Sequence, residues 1–216
     1  MSFFLKIGST KHIVDMFQKE YLFFNTFSSF RSHNLDDLSG RFDPREANTK
    51  NTQVKYLEIT TAEGVSIKLS EMSKNFNCQF NEHPTVIPYN ICSLYTLSYG
   101  EDLKVQAIDL RIGHFGDKTL LMHDLGTFFK LLDMALEREQ FQYSRKPVIY
   151  YDYRSFDGDL TFHHKENSFS FQNEYRILIE TPGDRTIKLK IPGLRKISAV
   201  INTDQINTLE LRPLQE

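Results

Sequence analysis

Two polar side chains stand two positions apart in a segment that otherwise reads as a strand: Gln172 and Glu174, within Phe169-Ser-Phe-Gln-Asn-Glu-Tyr-Arg-Ile-Leu-Ile179. Successive side chains on a strand alternate between faces, so Gln172, Glu174 and Arg176 are expected on one side. Asn173, Tyr175, Ile177 and Ile179 are expected on the other, mostly the core side. An amide and a carboxylate then face one small volume. A carboxylate beside a sugar stabilises the positive charge that develops on the ring as a glycosidic bond breaks, and an amide can orient the attacking nucleophile. The same residues also fit a solvated strand face with a Glu–Arg contact.

Other candidates are fewer. In Arg41-Phe-Asp43-Pro-Arg45-Glu46 a guanidinium such as Arg41 could grip a pyrophosphate in a bidentate fork. The loop equally fits a salt-bridged surface turn. A third reading places Asp43, Glu46 and Glu58 around a hard cation in a metal-dependent nuclease, but Glu58 is followed by Ile59 and Thr60, so the Asp…Glu-x-Lys spacing is missing. His163 and His164, with Asp157 and Asp159 nearby, are the one metal-type cluster. Adjacent strand residues point to opposite faces, so a structural or solvent role is expected there and no metal site is assigned. Cys78 and Cys92 form neither a disulfide framework nor a Cys-x-x-Cys knuckle, and Cys92, in an apolar strand, should be inert. Gly113-His-Phe-Gly116 lacks the spacing of a dinucleotide-binding turn, and no Gly-Lys-Ser/Thr follows a glycine loop.

Gln172-Asn-Glu174 resembles the Gln-x-Glu strand of ADP-ribosyltransferases. Residues 4–24 have the strand–helix–strand layout of that superfamily's first nicotinamide-binding element, with Lys6 where His or Arg is usual and Gly8 or Ser9 in place of the following Thr. Most of residues 20–202 is also similar to a bacterial family of unassigned function. Its motifs stand here as Phe24–Phe30, Arg41 to Glu46, Cys92-Ser-Leu-Tyr95, Phe115-Gly-Asp117 and Lys165 through Arg176.

The resemblance implies an ADP-ribosyltransferase-like bacterial effector or toxin, in phage defence or a toxin–antitoxin system, with NAD as substrate. Glu174 would stabilise the ribose cation and Gln172 orient the acceptor. Tyr95, with Ser93 beside it, would pack on nicotinamide, and Lys6, Arg41 and Arg176 would hold phosphate or ribose. It further implies a neutralising antitoxin or regulator protein as partner, and a protein or nucleic acid as acceptor. The competing reading is a non-enzymatic interaction or sensor module on the same scaffold, since fold does not dictate function. An enzyme should gather Glu174, Tyr95 and Arg41 in one deep cleft; a scaffold should leave them scattered.

The elements that must position these residues follow from the patterning. Strands are expected at residues 3–6, 21–25, 53–60, 65–69, 89–99, 119–123, 148–153, 160–163, 173–180, 186–191, 199–202 and 209–212. Residues 26–31 read as a turn or short helix, 32–53 as a polar loop and 75–88 as irregular. Ser9 or Thr10 should cap a helix to about residue 19, and Asp124 one over residues 125–138, with Phe128, Phe129, Leu132, Ala135 and Leu136 at core spacing. Strands adjacent in sequence and two main helices predict a single α+β domain over residues 1–216, mainly antiparallel and ADP-ribosyltransferase-like.

Composition supports a β-rich globular chain: 216 residues with 18 Phe and 10 Tyr but no Trp, 40% hydrophobic and 25% charged. A formal charge of -2 with neither half strongly basic argues against wrapping a nucleic-acid duplex. The apolar runs fall far short of the ~20 residues that span a bilayer. Residues 1–9 lack the basic start and cleavage site of a signal peptide, no membrane partner is expected, and with two cysteines that form no framework the simplest compartment is a reducing cytoplasm.

Overall fold

The computed structural model describes residues 2–31, 42–72, 76–100, 106–181 and 185–210. β1 (Ser2–Gly8), α1 (Thr10–Lys19) and β2 (Tyr21–Thr26) open the chain, followed by one helical turn, α2 (Ser28–Arg31). Then come β3 (Lys50–Val54), β4 (Glu58–Thr60), β5 (Ser66–Lys68), β6 (Cys78–Glu82) and the long β7 (Tyr89–Ser98). β8 (Lys118–Met122), α3 (Leu125–Arg138), β9 (Tyr143–Pro147), β10 (Ile149–Tyr151), β11 (Gly158–Asp159) and β12 (His164–Glu166) follow. β13 (Glu174–Glu180), β14 (Ile187–Lys190) and β15 (Ser198–Asn202) complete an α+β fold.

Among the described residues, eight strands form one sheet around β7. β13 and then β9 lie on one edge of β7; the other edge is shared by β2 and by β1, which carries β8 and β15 beyond it, while β14 lies outside β2. Every pairing in this sheet is antiparallel. β3, β6 and β11 make a small antiparallel sheet, β4 and β5 a hairpin, and β10 and β12 a parallel pair.

The two faces of the large sheet differ. On one, Phe4, Cys92, Leu94, Ile177 and Ile179 pack with Ile13 and Met16 of α1 and with Phe128, Leu132, Ala135 and Leu136 of α3. Those helix residues recur at three- and four-residue spacing, which puts them on one side of their helices. The opposite face carries two smaller apolar groups, Phe3, Leu5 and Leu97 in one and Phe27, Ile91 and Leu178 in the other. Ser93, Glu174 and Arg176 share that face by register, Arg176 opposite Ser93 and Glu174 opposite Tyr95. Among the described residues no helix is long and apolar enough to cross a membrane.

Several expected elements are corrected. Residues 75–88 are not wholly irregular, because Cys78–Glu82 pairs with β3. Tyr143–Pro147 is an unforeseen edge strand whose Arg, Lys and Pro blunt further pairing. Residues 160–163 are not a strand, and 53–60 is broken between Val54 and Glu58. Glu210 makes only an isolated bridge, and 211–212 lie outside the described residues. Asp124 caps α3 as expected, accepting from Thr127 N at 2.9 Å. α1 is capped from afar: Ser9 makes no side-chain cap, and Asp117 accepts from Thr10 N at 2.8 Å and from the Thr10 hydroxyl. A carboxylate there also complements the helix dipole.

The turn that delivers Asp117 crosses the β1–α1 junction at contact distance. A Cβ on Gly116 would lie 2.1 Å from the Gly8 carbonyl carbon, and Gly116 has φ +148°, where L side chains are strained. Gly116→Ala is therefore expected to destabilise the chain by more than the ~1–3 kcal/mol of the backbone conformation alone. An unchanged urea midpoint would contradict this.

Candidate active site

The site originates in an interruption of the sheet. β1 pairs with β7 only as far as Leu5 opposite Tyr95, and β2 pairs with β7 only at Ile91 and Asn90. Between them, among the described residues, 92–94 of β7 have no strand on that edge, while β13 follows β7 without a break on the other. Lys6 reaches into this gap, its Nζ donating to the Ser93 carbonyl at 2.9 Å. A cleft of about 1090 Å³ opens here between α1 and the parted strands. Lys6, Ser93, Tyr95, Lys165, Gln172 and Glu174 all line it. That volume lies just above the roughly 300–1,000 Å³ of small-molecule sites.

Gln172 and Glu174 arrive differently than the sequence suggests. Gln172 is not on a strand: it ends a 3₁₀ helix over Asn167–Gln172, and Asn173 turns the chain with φ 36° before β13 begins at Glu174. Asn173 is pinned to β7, accepting from Thr96 N at 2.9 Å and donating from Nδ2 to Thr96 O at 2.6 Å. The amide and carboxylate nevertheless meet, because both bind Lys165. Lys165 Nζ donates to Gln172 Oε1 at 2.8 Å and to Glu174 Oε2 at 3.1 Å. As Lys only donates, this fixes which end of the Gln172 amide is the carbonyl.

Glu174 is 5% exposed and richly bonded. Ser93 Oγ donates to its Oε1 at 2.5 Å and Arg176 Nε to the same atom at 2.7 Å. Behind it, Arg176 Nη1 and Nη2 lie 2.7 and 3.0 Å from the two oxygens of Glu46, and Lys165 Nζ stands 3.5 Å from Glu46 Oε2. Arg176 Nη1 also donates to Phe162 O at 2.6 Å. Two cations and two carboxylates thus form a closed quartet in which each cation touches both anions. Burial would raise the Glu174 pKa, but Arg176 and Lys165, with hydrogen bonds from Arg176 and Ser93, hold it well below the ordinary carboxylate range. Glu174 is an anion at neutral pH, suited to stabilising a cation and not to donating a proton.

Two expectations change with this geometry. Arg176 is fully buried and does not line the cleft, so its assignment to ligand binding is corrected: it holds Glu174. The turn carrying Asp43 and Glu46 is not a surface salt-bridge loop, since these residues are 1% and 2% exposed. Glu58 lies on an exposed strand apart from them, and among the described residues no three His, Cys, Asp or Glu groups gather at metal-binding distance. Arg41 lies outside the described residues. His163 Nε2 pairs with Ser144 Oγ while His164 Nδ1 accepts from Thr161 N, so the two rings serve separate bonds. Cys92 is fully buried, which pushes its thiol pKa up.

Lys165 is the site residue to which pattern reading gave no role, and Glu46, weighed there as a cation ligand, instead pairs with Arg176 and Lys165. A buried lysine almost always has a partner, yet nothing in Lys165's neighbours marks it as buried.

Asp43 supplies a pH test of this network. Burial, then the Glu46 charge, raises its carboxyl from 3.8 to about 6. Between those values the folded chain keeps a proton that the unfolded chain has lost, so this group's contribution falls as pH rises through that window and is constant above it. Asp43→Asn retains the oxygen that accepts from Arg45 N. The variant should gain on the order of 2–3 kcal/mol over the wild type on going from pH 4 to pH 7. Urea unfolding of both chains at the two pH values checks it; a difference independent of pH would refute it.

No protein-family model, curated protein or solved structure matches the chain.

Proposed function

We propose that the protein is an ADP-ribosyltransferase-like bacterial effector that uses NAD as substrate. The observation that carries this reading is the convergence of Glu174, Gln172, Ser93, Tyr95 and Lys6 on the single cleft opened where β1 and β2 part from β7. In the proposed reaction the bond between nicotinamide and ribose breaks with its electron pair leaving on the neutral nicotinamide. The ribose cation forms against the ionised Glu174, whose charge is worth most in a site from which water is largely excluded. Gln172 orients the acceptor, which adds to the ribose carbon and releases a proton. Tyr95 provides a flat wall for the nicotinamide ring, and Lys6 complements phosphate or ribose.

The acceptor is a protein or nucleic acid, or water if NAD is only hydrolysed. A toxin role in phage defence or a toxin–antitoxin system, in the bacterial cytoplasm with a neutralising antitoxin, belongs to the same proposal. Incubating purified protein with cell extract and NAD labelled in its adenylate moiety tests the transfer. Label should appear on a macromolecule, or as free ADP-ribose; the absence of both products would refute the reading.

One observation favours a second reading. Both Glu174 oxygens already accept hydrogen bonds, from Ser93, Arg176 and Lys165, which suits a structural keystone in a non-enzymatic binding or sensor module. The enzymatic reading requires that the carboxylate act while so held, as a fixed charge.

A further inference from the structure

We propose that Glu46 is a positioning residue for the cleft, fixing through Arg176 and Lys165 the directions in which Glu174 and Gln172 point. Glu46 does not itself line the cleft. It stands on the turn that follows Asp43, its backbone N–H donating to Asp43 O at 3.0 Å, and its side chain is 2% exposed.

The geometry assigns each donor. Nη2 of Arg176 donates to Glu46 Oε2 at 3.0 Å, Nη1 donates to Phe162 O while lying 2.7 Å from Glu46 Oε1 as an ion pair, and Nε aims at Glu174 Oε1. A planar guanidinium held at Nη2 by Glu46 and at Nη1 by Phe162 O cannot rotate, so Glu46 is the side chain that, with that carbonyl, sets the direction of Nε. Lys165 has three ammonium protons and three acceptors within reach: Gln172 Oε1, Glu174 Oε2 and Glu46 Oε2. Without Glu46 both cations would have Glu174 as their one remaining carboxylate in the quartet. They would close on it, and Lys165 could draw away from the Gln172 carbonyl. Glu46 therefore divides the two cations between two anions and leaves the Glu174–Gln172 pair in a defined orientation. That this orientation serves a reaction rests on the NAD-cleaving reading above.

The test compares wild type with Glu46→Gln, which keeps the shape and removes the charge, and Glu46→Asp, which keeps the charge. Nicotinamide release from NAD is measured together with the ¹⁵N-resolved Nε–H signals of arginine side chains, Arg176 being identified by its absence from Arg176→Lys. Glu46→Gln should lower kcat about 10²-fold, as misplacement of a reacting group by about 1 Å does. Its KM should stay within about two-fold, and Glu46→Asp should recover part of the loss. The Arg176 Nε–H signal should shift and lose protection from exchange in Glu46→Gln and be partly restored in Glu46→Asp. An unmoved signal, or an unchanged kcat in an active enzyme, overturns the proposal. If the wild type releases no nicotinamide, the NAD reading fails by itself, and the arginine signal alone decides whether Glu46 positions the pair.

Discussion

Glu174→Gln is expected to slow nicotinamide release from NAD by about 10²–10³-fold, the loss seen when one fixed group that stabilises transition-state charge is removed. Gln matches Glu in shape and can still accept from Ser93, so the cleft should keep its outline. What disappears is the negative charge on which the ribose cation would form. Since that charge matters in the transition state more than in the bound dinucleotide, KM should change by no more than a few-fold while kcat falls. Near-UV circular dichroism of the variant controls for folding, because the substitution also leaves Arg176 and Lys165 with Glu46 as their only carboxylate in the quartet. Equal rates in the two chains would assign Glu174 to structure alone.

The second large effect concerns stability. Arg176→Met removes the cation that touches both Glu174 and Glu46, leaving two buried carboxylates to share Lys165. Breaking a buried ion network from one side costs about 3–5 kcal/mol, because the partners remain desolvated and unpaired. In a chain of this length each kcal/mol moves Tm by roughly 2–4 °C, so a fall of about 6–20 °C is expected. Adding Glu46→Gln to Arg176→Met should restore part of the loss by neutralising one stranded carboxylate, a coupling that a double-mutant cycle measures directly. Arg176→Lys, which keeps the charge and loses the fork, should fall between. A Tm for Arg176→Met equal to that of the wild type would mean that the quartet carries no folding energy.

The local devices of this fold were legible in the sequence where a single element carried its own signal. Asp124 ahead of Phe128, Leu132, Ala135 and Leu136 announces both the cap and the buried side of α3. The alternation in 174–180 sends Tyr175, Ile177 and Ile179 to the core as read. Partnerships between distant segments were not legible. Nothing near Ser9 indicates that Asp117, over a hundred residues away, would cap α1 in its place, and nothing in β9 distinguishes an edge strand from a polar connection.

The site divides in the same way. Gln172 and Glu174 drew notice by their spacing, although the spacing argument assumed an unbroken strand and the left-handed turn at Asn173 replaces it. Lys6, Ser93 and Tyr95 reach the cleft from β1 and β7. Arg176 read as a solvated strand residue or, by the resemblance, as a ligand-binding one, since a local pattern cannot distinguish an accessible arginine from one buried between two carboxylates. The missing information was Glu46: an anion 130 residues distant makes the interior position of Arg176 tolerable.

Chromatography of NAD incubated with the purified wild-type protein is the most direct test of the assignment of this cleft to dinucleotide cleavage. Free nicotinamide should accumulate in proportion to protein and time, with or without cell extract if water serves as acceptor and only with extract if it does not. NAD recovered intact under both conditions, from protein shown to be folded, would contradict it.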